Sequence, residues 1–264
     1  MQISGSTILL TGATGGLGQA IARALHARGG DLILTGRRTE ILEPLAAELD
    51  GARTLAVDLS DAAAVDRLVA DSGDVDILLA NAALPGSGRL ESFTIDEIDR
   101  VLDVNLRAPI VLAHALAPVM VKRGRGHLLF MSSLSGKSAT PGTAIYNATK
   151  FGLRGFASAL RADLRSSGVG VSAVFPGFIR DAGMFAEAGV KLPPGVGTAS
   201  PEDVARAVVS AIERNRAEVD VAPLSVRAGA TFAGIAPELA SKVARRLGSE
   251  NIAREMEAGQ RAKR

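Results

Sequence analysis

The chain of 264 residues has no cysteine, no tryptophan and a single tyrosine. Without cysteine it can form neither a disulfide framework nor a thiolate metal site, which fits a reducing compartment. No apolar run approaches the roughly 18 residues that a membrane span needs. The first residues carry no basic segment ahead of their apolar run, so they are predicted to form a strand and not an export signal. We therefore expect a soluble, cytoplasmic protein.

Charge is unevenly distributed, although the formal net charge is only +2. Residues 227–264 contain eight Lys/Arg and four Asp/Glu, so this segment is basic. The rest of the chain has no dense basic stripe with stacking aromatic residues, and nucleic acid is not an expected partner. We expect the basic segment to act separately from the chemistry of the remaining chain.

Apolar, β-branched runs alternate with longer amphipathic runs along most of the sequence. Near-continuously apolar strands that alternate with helices indicate a parallel sheet with both faces covered. Seven such strands predict one α/β domain over residues 1–224, with a doubly wound, Rossmann-type parallel sheet. One of the predicted helices runs without interruption from about residue 94 to residue 122.

Residues 177–200 interrupt this alternation. They are rich in glycine and proline, yet they also carry large apolar side chains, which a purely connecting loop would lack. These side chains are Phe178, Ile179, Met184, Phe185 and Leu192. We interpret the segment as an apolar lid, with Phe178, Met184 and Phe185 as candidates for a substrate pocket. Core packing of the same residues is an equally good interpretation.

Residues 225–264 form a second predicted unit, a basic helical tail. Pro237 can start a helix, after which Leu239, Val243 and Leu247 recur every four residues among basic side chains. A basic amphipathic helix can lie on an anionic membrane surface. Because the apolar stripe is narrow, we favour packing or solvation over membrane contact.

A glycine-rich turn follows the first predicted strand. The segment TGATGGLG, residues 11–18, ends that strand and opens the first helix. In this context backbone amides can approach a pyrophosphate, and the helix N-terminus favours its negative charge. The spacing of Gly12, Gly16 and Gly18 differs from the commoner G-x-G-x-x-G, so an ordinary tight turn stays an open interpretation.

The residues after the second strand indicate which dinucleotide would be bound. An acid about 20 residues after the glycines usually binds the adenosine ribose, whereas an arginine there accommodates a 2′-phosphate. The chain has Arg37 and Arg38 at this place and no acid. A guanidinium can hold a phosphate by forked, charge-assisted hydrogen bonds. We predict a preference for NADP(H), with NAD(H) as the alternative cofactor and a solvated arginine pair as the alternative interpretation.

Tyr146, the single tyrosine, is followed four residues later by Lys150 on a predicted helix. This spacing places both side chains on one helix face. A phenol with an ordinary pKa of ~10 is a poor acid–base group at neutral pH, and a nearby ammonium lowers the phenol pKa. Because an exposed pair contributes too little, we expect a partly dry site in which a bound oxidised nicotinamide adds positive charge.

Two polar residues can complete this site. Ser133 ends a predicted strand, where a hydroxyl can hydrogen-bond a substrate oxygen. Asn105 lies four residues before Pro109. Because proline has no N–H, the backbone carbonyl of Asn105 would be free to hold a water that connects Lys150 to solvent. A simple helix kink at Pro109 is the alternative.

Together these motifs resemble the short-chain dehydrogenase/reductase family, in its shorter branch with a T-G-x-x-x-G-x-G turn. The matches are TGATGGLG at 11–18, NAA at 81–83, Asn105, Ser133, the Y-x-x-x-K of Tyr146 and Lys150, and PG at 176–177. The resemblance covers about residues 5–222. It implies a seven-stranded Rossmann-type sheet, hydride transfer between a nicotinamide and a carbonyl or alcohol, and a homodimer or homotetramer.

The resemblance also implies roles for the matching residues. Tyr146 would be the general acid in reduction and the base in oxidation, and Lys150 would lower its pKa and bind the nicotinamide ribose. Ser133 would hold the substrate oxygen, Asn105 would anchor a water of the proton relay, and Asp58 would contact the adenine. The expected cofactor-binding residues are Gly12, Thr14, Gly16, Leu17, Gly18, Arg37, Arg38, Asp58, Leu59, Asn81, Ala82, Tyr146, Lys150, Pro176, Gly177 and Ile179.

Two positions depart from the family pattern. Ala83 replaces the glycine of the usual N-A-G, and a methyl group fits there only if the backbone φ is negative. Asp181 replaces a threonine that usually bonds the nicotinamide carboxamide. A carboxylate can accept a hydrogen bond from the carboxamide NH₂, but it cannot donate one to the carboxamide oxygen.

The sequence therefore predicts an NADP(H)-dependent carbonyl reductase or alcohol dehydrogenase. The apolar side chains of residues 177–200 favour a lipophilic small molecule, such as a ketone, an oxoacyl compound or a hydroxysteroid-like substrate. The alternative is a cofactor-binding sensor or scaffold without turnover. The intact set of Asn105, Ser133, Tyr146 and Lys150 argues against that alternative.

Overall fold

A computed structural model describes residues 1–190, 192, 196–246 and 249–260. Its described residues contain seven strands, of which the five inner ones carry largely buried apolar runs, whereas the third and the seventh, at the edges, are partly exposed. The strands are β1 (Thr7–Leu10), β2 (Asp31–Gly36), β3 (Arg53–Ala56), β4 (Ile77–Ala80), β5 (Gly126–Met131), β6 (Val169–Pro176) and β7 (Glu218–Val221).

All seven strands lie in one parallel sheet with the order β3-β2-β1-β4-β5-β6-β7. The strand order reverses between β1 and β4, so the connections after these two strands leave in opposite directions. Ligands of doubly wound sheets bind in the crevice that opens at this point, outside the carboxyl ends of the strands. The predicted fold class, a Rossmann-type α/β sheet, is confirmed.

Helices cover both faces of the sheet and continue beyond its last strand. They are α1 (Gly16–His26), α2 (Thr39–Glu48), α3 (Ala62–Ser72), α4 (Ile95–Leu102), α5 (Ala108–Arg123), α6 (Ala144–Asp163), α7 (Gly183–Ala188), α8 (Pro201–Glu213), α9 (Leu224–Ile235), α10 (Pro237–Arg246) and α11 (Ser249–Gln260). Two of them begin with a complete capping box, in which an N-cap hydroxyl and an acid three residues later bond each other's backbone N–H.

The two faces of the sheet hold separate apolar clusters, because successive side chains of a strand point to opposite faces. Leu9 belongs to the cluster under α3, α5 and α6, and its neighbour Leu10 belongs to the cluster under α1, α2 and α8. Both leucines are fully buried. The sheet is therefore covered on both sides, and its carboxyl edge is left for the site.

The helix predicted from residue 94 to residue 122 is interrupted. Helix α4 is followed by a π turn, Asp103–Arg107, and then by α5. In this turn the N–H of Ala108 donates to the carbonyl of Asp103, five residues back. Pro109 has no N–H to bond the carbonyl of Asn105, so the hydrogen-bond register shifts here.

Helix α4, the π turn and α5 together form one helical run, Ile95–Arg123, which differs from the sequence expectation about apolar length. By length and composition it could cross a membrane, with a mean hydropathy of 1.5 over its most apolar window. Half of that window is buried inside the fold, where Leu112 and Leu116 of α5 belong to the core cluster. A core helix of a globular sheet protein has the same composition, since its apolar stripe packs on the strands.

Candidate active site

A cavity of about 1320 Å³ opens at the carboxyl ends of the strands. It brings together residues that are far apart in the sequence, and all but one of the predicted site residues line it. Those lining it are Gly12, Thr14, Gly16, Leu17, Gly18, Arg37, Arg38, Asp58, Leu59, Asn81, Ala82, Ser133, Tyr146, Lys150, Pro176, Gly177, Phe178, Ile179, Met184 and Phe185. The exception is Asn105, described below.

The glycine turn forms an open cradle at the start of α1. Gly12 has a φ of 69°, and a Cβ there would lie 2.7 Å from the Cα of Ala82. A Cβ on Gly18 would lie 2.2 Å from the carbonyl oxygen of Gly12. The N-cap Gly15 supplies no side-chain cap, and the first turn of α1 contains no acid. The first amides of the helix are thus available to an anion, which fits a dinucleotide pyrophosphate.

Asn81 fixes the turn to the neighbouring strand. Its amide nitrogen donates to the carbonyl oxygens of Thr11 (3.1 Å) and Gly12 (3.2 Å). In return, the hydroxyl of Thr11 accepts from the backbone N–H of Asn81 and of Ala82. Thr11, which the sequence analysis did not single out, therefore ties β1 to β4 beneath the cradle. The signal for it is its position as the first residue of the T-G turn.

The two departures from the family pattern have different outcomes. Ala83 has a negative φ, because the described non-glycine residues with positive φ are Asp181 and Asn215, so its methyl group is accommodated. Asp181 has a φ of 69° and pairs with Arg180 at 3.3 Å, while 71% of its side chain is exposed. It does not line the cavity, and Ala182 takes its place against the glycine turn.

The adenine end of the cavity carries the predicted arginine pair. Arg37 lies 3.7 Å from the carboxylate of Asp58, and about half of its side chain is exposed. Arg38 donates to the carbonyl of Thr14 at 2.8 Å, so it holds the β2 turn against the glycine turn. Both guanidiniums are exposed, but that of Arg37 is not fixed to the backbone of the described residues, so Arg37 is the better placed to reach a ligand phosphate.

Asp58 is also approached by Arg100 of α4, at 3.8 Å. Burial raises the pKa of Asp58, but hydrogen bonds from Ser60 and the charges of Arg37 and Arg100 outweigh it and hold that pKa below its usual value. Asp58 is therefore ionised at neutral pH. Sequence reasoning missed Arg100, because its place beside β3 depends on how α4 packs.

Tyr146 and Lys150 lie on the first two turns of α6, with the Lys150 Nζ 5.5 Å from the centre of the Tyr146 ring. Nζ donates to the carbonyl of Met131 at 2.9 Å. Lys150 is almost fully buried, and burial lowers its pKa to about 8. Tyr146 lines the cavity, and its surroundings are dry enough that burial raises its pKa to about 12, against a lowering effect of a hydrogen bond with Ser133.

The prediction that Lys150, together with a bound oxidised nicotinamide, lowers the pKa of Tyr146 stays a prediction. Among the protein's own groups burial dominates, and the pKa of the phenol rises. The physical reason is that the ammonium is directed to the Met131 carbonyl and stands over the ring rather than pairing with the hydroxyl. The expectation of a dry site agrees with the burial of Lys150.

Ser133 is held in place by the backbone around it. Its hydroxyl donates to the carbonyl of Pro176 at 3.3 Å and accepts from the N–H of Ser135 at 3.1 Å. The preceding residue, Ser132, donates to the carbonyl of Lys150 at 3.0 Å and so joins the end of β5 to α6. This contact, which the sequence did not reveal, fixes the distance between the serine and the tyrosine helix.

Asn105 lies behind the cavity and does not line it. Its side chain is fully buried and makes two hydrogen bonds with the backbone of Leu84, accepting from the N–H at 2.6 Å and donating to the carbonyl at 2.8 Å. The side chain thus supports the β4 loop, and any part in a proton relay falls to the backbone carbonyl in the π turn. That relay stays a prediction.

The C-terminal helices do not stand apart from the site, contrary to the sequence expectation. Residues from α9, α10 and α11 line the same cavity and close it opposite the sheet. Of the large residues noted in the sequence, Val243 lines the cavity, although 45% of it is exposed, whereas Leu239 is 55% exposed and does not line it. Leu247 lies outside the described residues. Most of the other lining residues of α9 and α10 are small, so a pattern of large apolar residues did not reveal this face.

The structure and the comparisons together define the class of this protein. A parallel sheet with a glycine turn at its switch point is a Rossmann-type architecture. The family model of short chain dehydrogenases matches residues 6–192. The chain therefore belongs to the short-chain dehydrogenase/reductase family.

Individual relatives agree with this membership. Ketoacyl reductase HetN of Nostoc sp. is 33% identical over 227 residues, which cover 83% of this chain and 79% of that protein. Dehydrogenase/reductase SDR family protein 7-like of Drosophila melanogaster is 38% identical over 191 residues, 68% of this chain but 59% of its own length. Among solved structures, a short-chain dehydrogenase from Sphingobium yanoikuyae in complex with NADPH has a TM-score of 0.77 at 29% identity, covering 89% of this chain and 94% of that one.

Proposed function

We propose that this protein is an NADP(H)-dependent oxidoreductase that interconverts a carbonyl and an alcohol. The proposal rests on one observation: Tyr146, Lys150 and Ser133 line the same cavity as the glycine cradle. A bound nicotinamide supplies the hydride for a carbonyl carbon, or takes it from an alcohol. The protein's own residues have to position the substrate oxygen and move its proton.

Tyr146 is the group we assign to the proton. With a pKa of about 12 its phenol is protonated at neutral pH, so it is ready to donate to a carbonyl oxygen that gains negative charge. Ser133 faces the same space and can hydrogen-bond that oxygen.

Lys150 supports this step from beneath the tyrosine. Its pKa of about 8 leaves it mostly charged at neutral pH, and a positive charge near the ring stabilises the phenolate that remains after proton donation. The family resemblance implies that its remaining N–H groups would bind the nicotinamide ribose hydroxyls when the cofactor is present.

The preference for NADP(H) is supported by Arg37 and by the absence of an acid at the end of β2. A carboxylate at this place would repel a 2′-phosphate, whereas an exposed guanidinium can bind it. The structural neighbour from Sphingobium yanoikuyae is itself a complex with NADPH.

A lipophilic substrate is supported by the nicotinamide end of the cavity. The rings of Phe178 and Phe185 lie 5.1 Å apart, centre to centre, and both line it together with Met184. The volume of about 1320 Å³ exceeds the range of roughly 300–1,000 Å³ for a pocket with one small ligand. The cavity therefore has room for a substrate beside a dinucleotide.

The direct test is a screen of NADPH oxidation with lipophilic ketones, comparing the wild type with Tyr146→Phe. Loss of the proton donor is expected to lower kcat by about 100-fold or more, while NADPH affinity, measured by fluorescence titration, stays close to that of the wild type. Retention of most of the activity in the variant would show that Tyr146 is not the acid. Tight NADPH binding without turnover of any ketone or alcohol would favour the sensor or scaffold alternative.

A further inference from the structure

The roof of the cavity, formed by the described residues of α9–α11, has a distinct inner face. On α9 and α10 this face repeats with helical spacing and consists mainly of small residues that line the cavity while their neighbours are exposed. Its regularly spaced members are Val226, Ala230, Ala233, Ala240 and Ala244, and the larger Phe232 and Val243, both more than 40% exposed, line the cavity beside them. From α11, Ile252, Ala253 and Met256 complete it. Small side chains under a roof leave volume in the cavity that no protein atom occupies.

A buried polar group points to what this volume holds. Gln260 of α11 is 2% exposed, lines the cavity, and donates from its amide nitrogen to the carbonyl of Met184 at 3.2 Å. Because a carbonyl can only accept, this contact fixes which end of the amide is nitrogen. The other end, Oε1, has no hydrogen-bond partner among the described residues. A buried acceptor without a partner is destabilising, so a ligand donor there would be stabilising.

The charges of this region restrict the ligand further. Of the described residues of α9–α11, those that line the cavity are uncharged. The charged side chains near this end are Glu187 of α7, which also lines the cavity, and Lys150 at the reaction centre. The lining residues of the roof therefore offer no cation to pair with a carboxylate and no anion to pair with an ammonium. An electrically neutral ligand therefore fits this region.

We propose that α9–α11 form a distal substrate subsite, which binds an elongated, neutral aliphatic chain carrying a hydroxyl or amide N–H that donates to the Oε1 of Gln260. This proposal rests on the proposed reaction, because it places the carbonyl of the same substrate at Tyr146. In this proposal Ala233 and its neighbours determine which chain length fits, and Gln260 recognises the hydrogen-bond donor of the substrate. The small inner face and the unpartnered amide oxygen are then two parts of one site.

Two matched variants test the assignment of chain length. Ala233 and Ala228 are both on α9, but Ala233 lines the cavity and Ala228 is exposed on the outside. Ala233→Leu is expected to lower the ratio of kcat/KM for a long-chain methyl ketone to that for a short one by about tenfold. Ala228→Leu, with the same added volume, is expected to leave this ratio unchanged. Equal ratios in the two variants would overturn the subsite.

A second pair of substrates tests Gln260. Two long methyl ketones of equal length are compared, one ending in a methyl group and the other in a hydroxyl. Gln260→Leu is expected to lower the affinity for the hydroxylated ketone about tenfold relative to the unsubstituted one, measured by calorimetric titration. An unchanged ratio of the two affinities would overturn the role of Gln260.

Calorimetry also separates this proposal from the proposed reaction. Long ketones that bind the wild type and lose affinity in Ala233→Leu, but are never reduced, would support the subsite and overturn the reaction. Ketones that are reduced with the same chain-length preference by the wild type, Ala233→Leu and Ala228→Leu would overturn the subsite and leave the reaction in place.

Discussion

Lys150 is a charged residue in a buried position, with 1% of its surface exposed. Its ammonium donates a hydrogen bond to the backbone carbonyl of Met131. A pKa of about 8, against an ordinary 10.5, means that burying the ammonium costs about 3 kcal/mol at neutral pH. No packing advantage explains a lysine here, since an apolar side chain would fill the same space. The destabilisation is understandable if the ammonium works beneath Tyr146.

Lys150→Met is expected to raise the free energy of unfolding at pH 7. Between pH 8 and 10.5 the unfolded wild type binds more protons than the folded one, so wild-type stability rises with pH in this window and the advantage of the variant shrinks. From pH 7 to about pH 9.5 it should shrink by about 2 kcal/mol, measured by urea unfolding. Lys122→Met, at an exposed position, is the control. If the difference in unfolding free energy between Lys150→Met and the wild type did not change with pH, the argument would be wrong.

Arg37 is the residue expected to decide which dinucleotide binds. Arg37→Asp replaces an exposed guanidinium with a carboxylate, which repels a 2′-phosphate and can accept from ribose hydroxyls. The ratio of the NADPH and NADH dissociation constants should shift toward NADH by about tenfold or more, measured by fluorescence titration. Arg165→Asp, an exposed arginine far along the chain after α6, is the control for net charge. An unchanged ratio in Arg37→Asp would remove the claim.

Strand β5 makes a buried polar contact with the neighbouring strand β6. His127 is fully buried, and its Nε2 lies 2.9 Å from the hydroxyl of Ser172 on β6. That hydroxyl donates to the carbonyl of Arg216, so Nε2 carries the proton and donates to Ser172. Burial, with the charges of the N-terminus and Arg161, lowers the pKa of His127 to about 3. The strand pair therefore requires a neutral imidazole.

This requirement predicts acid sensitivity. Below pH 6.5 the unfolded chain gains a proton on His127 that the folded protein does not, so stability is lost as the pH falls. Between pH 6.5 and about pH 5 this one group should account for about 2 kcal/mol. His127→Leu should flatten the fall measured by urea unfolding, whereas His114→Leu, at an exposed position of α5, should not. Equal pH profiles for both variants would show that His127 is not responsible.

The molecule as a whole keeps apolar side chains on its outer surface. Val119 and Val121 of α5 and Phe151 of α6 are each about 40% exposed, on the face of the sheet that these two helices cover. Exposed apolar residues on neighbouring helices are typical of a surface between subunits. They support the homodimer or homotetramer expected from the family resemblance, which stays a prediction.

Phe151→Glu is expected to dissociate this assembly, because a carboxylate would be buried at the interface without a partner. Sedimentation velocity should show the variant at a lower mass than the wild type at the same concentration. Ile235→Glu, at an exposed position of α9, is the control with the same change of charge. A wild type that sediments as a monomer would contradict the prediction outright.

The sequence by itself determined the sheet, the glycine turn and which residues are proposed for the reaction. Strand runs such as ILLA of β4 are apolar throughout, which only a sheet covered on both faces allows. Tyr146 and Lys150 are four residues apart on one helix, so local geometry alone brings them together. Ser133 follows directly after a strand, and parallel strands end at one common edge.

Tertiary structure decided what depends on packing between distant segments. The pKa of Tyr146 rises because the surrounding chain excludes water, and no local pattern shows that. Asn105 turned to the backbone of Leu84, and Asp181 turned away from the cavity. The C-terminal helices show the same limit: of the large residues noted in the sequence, Leu239 is exposed and Val243 lines the cavity, and most of the inner face consists of small residues that leave space. Sequence periodicity reveals faces made of large apolar residues. The cavity, in contrast, forms only where the C-terminal helices pack opposite the sheet, so no local pattern shows it.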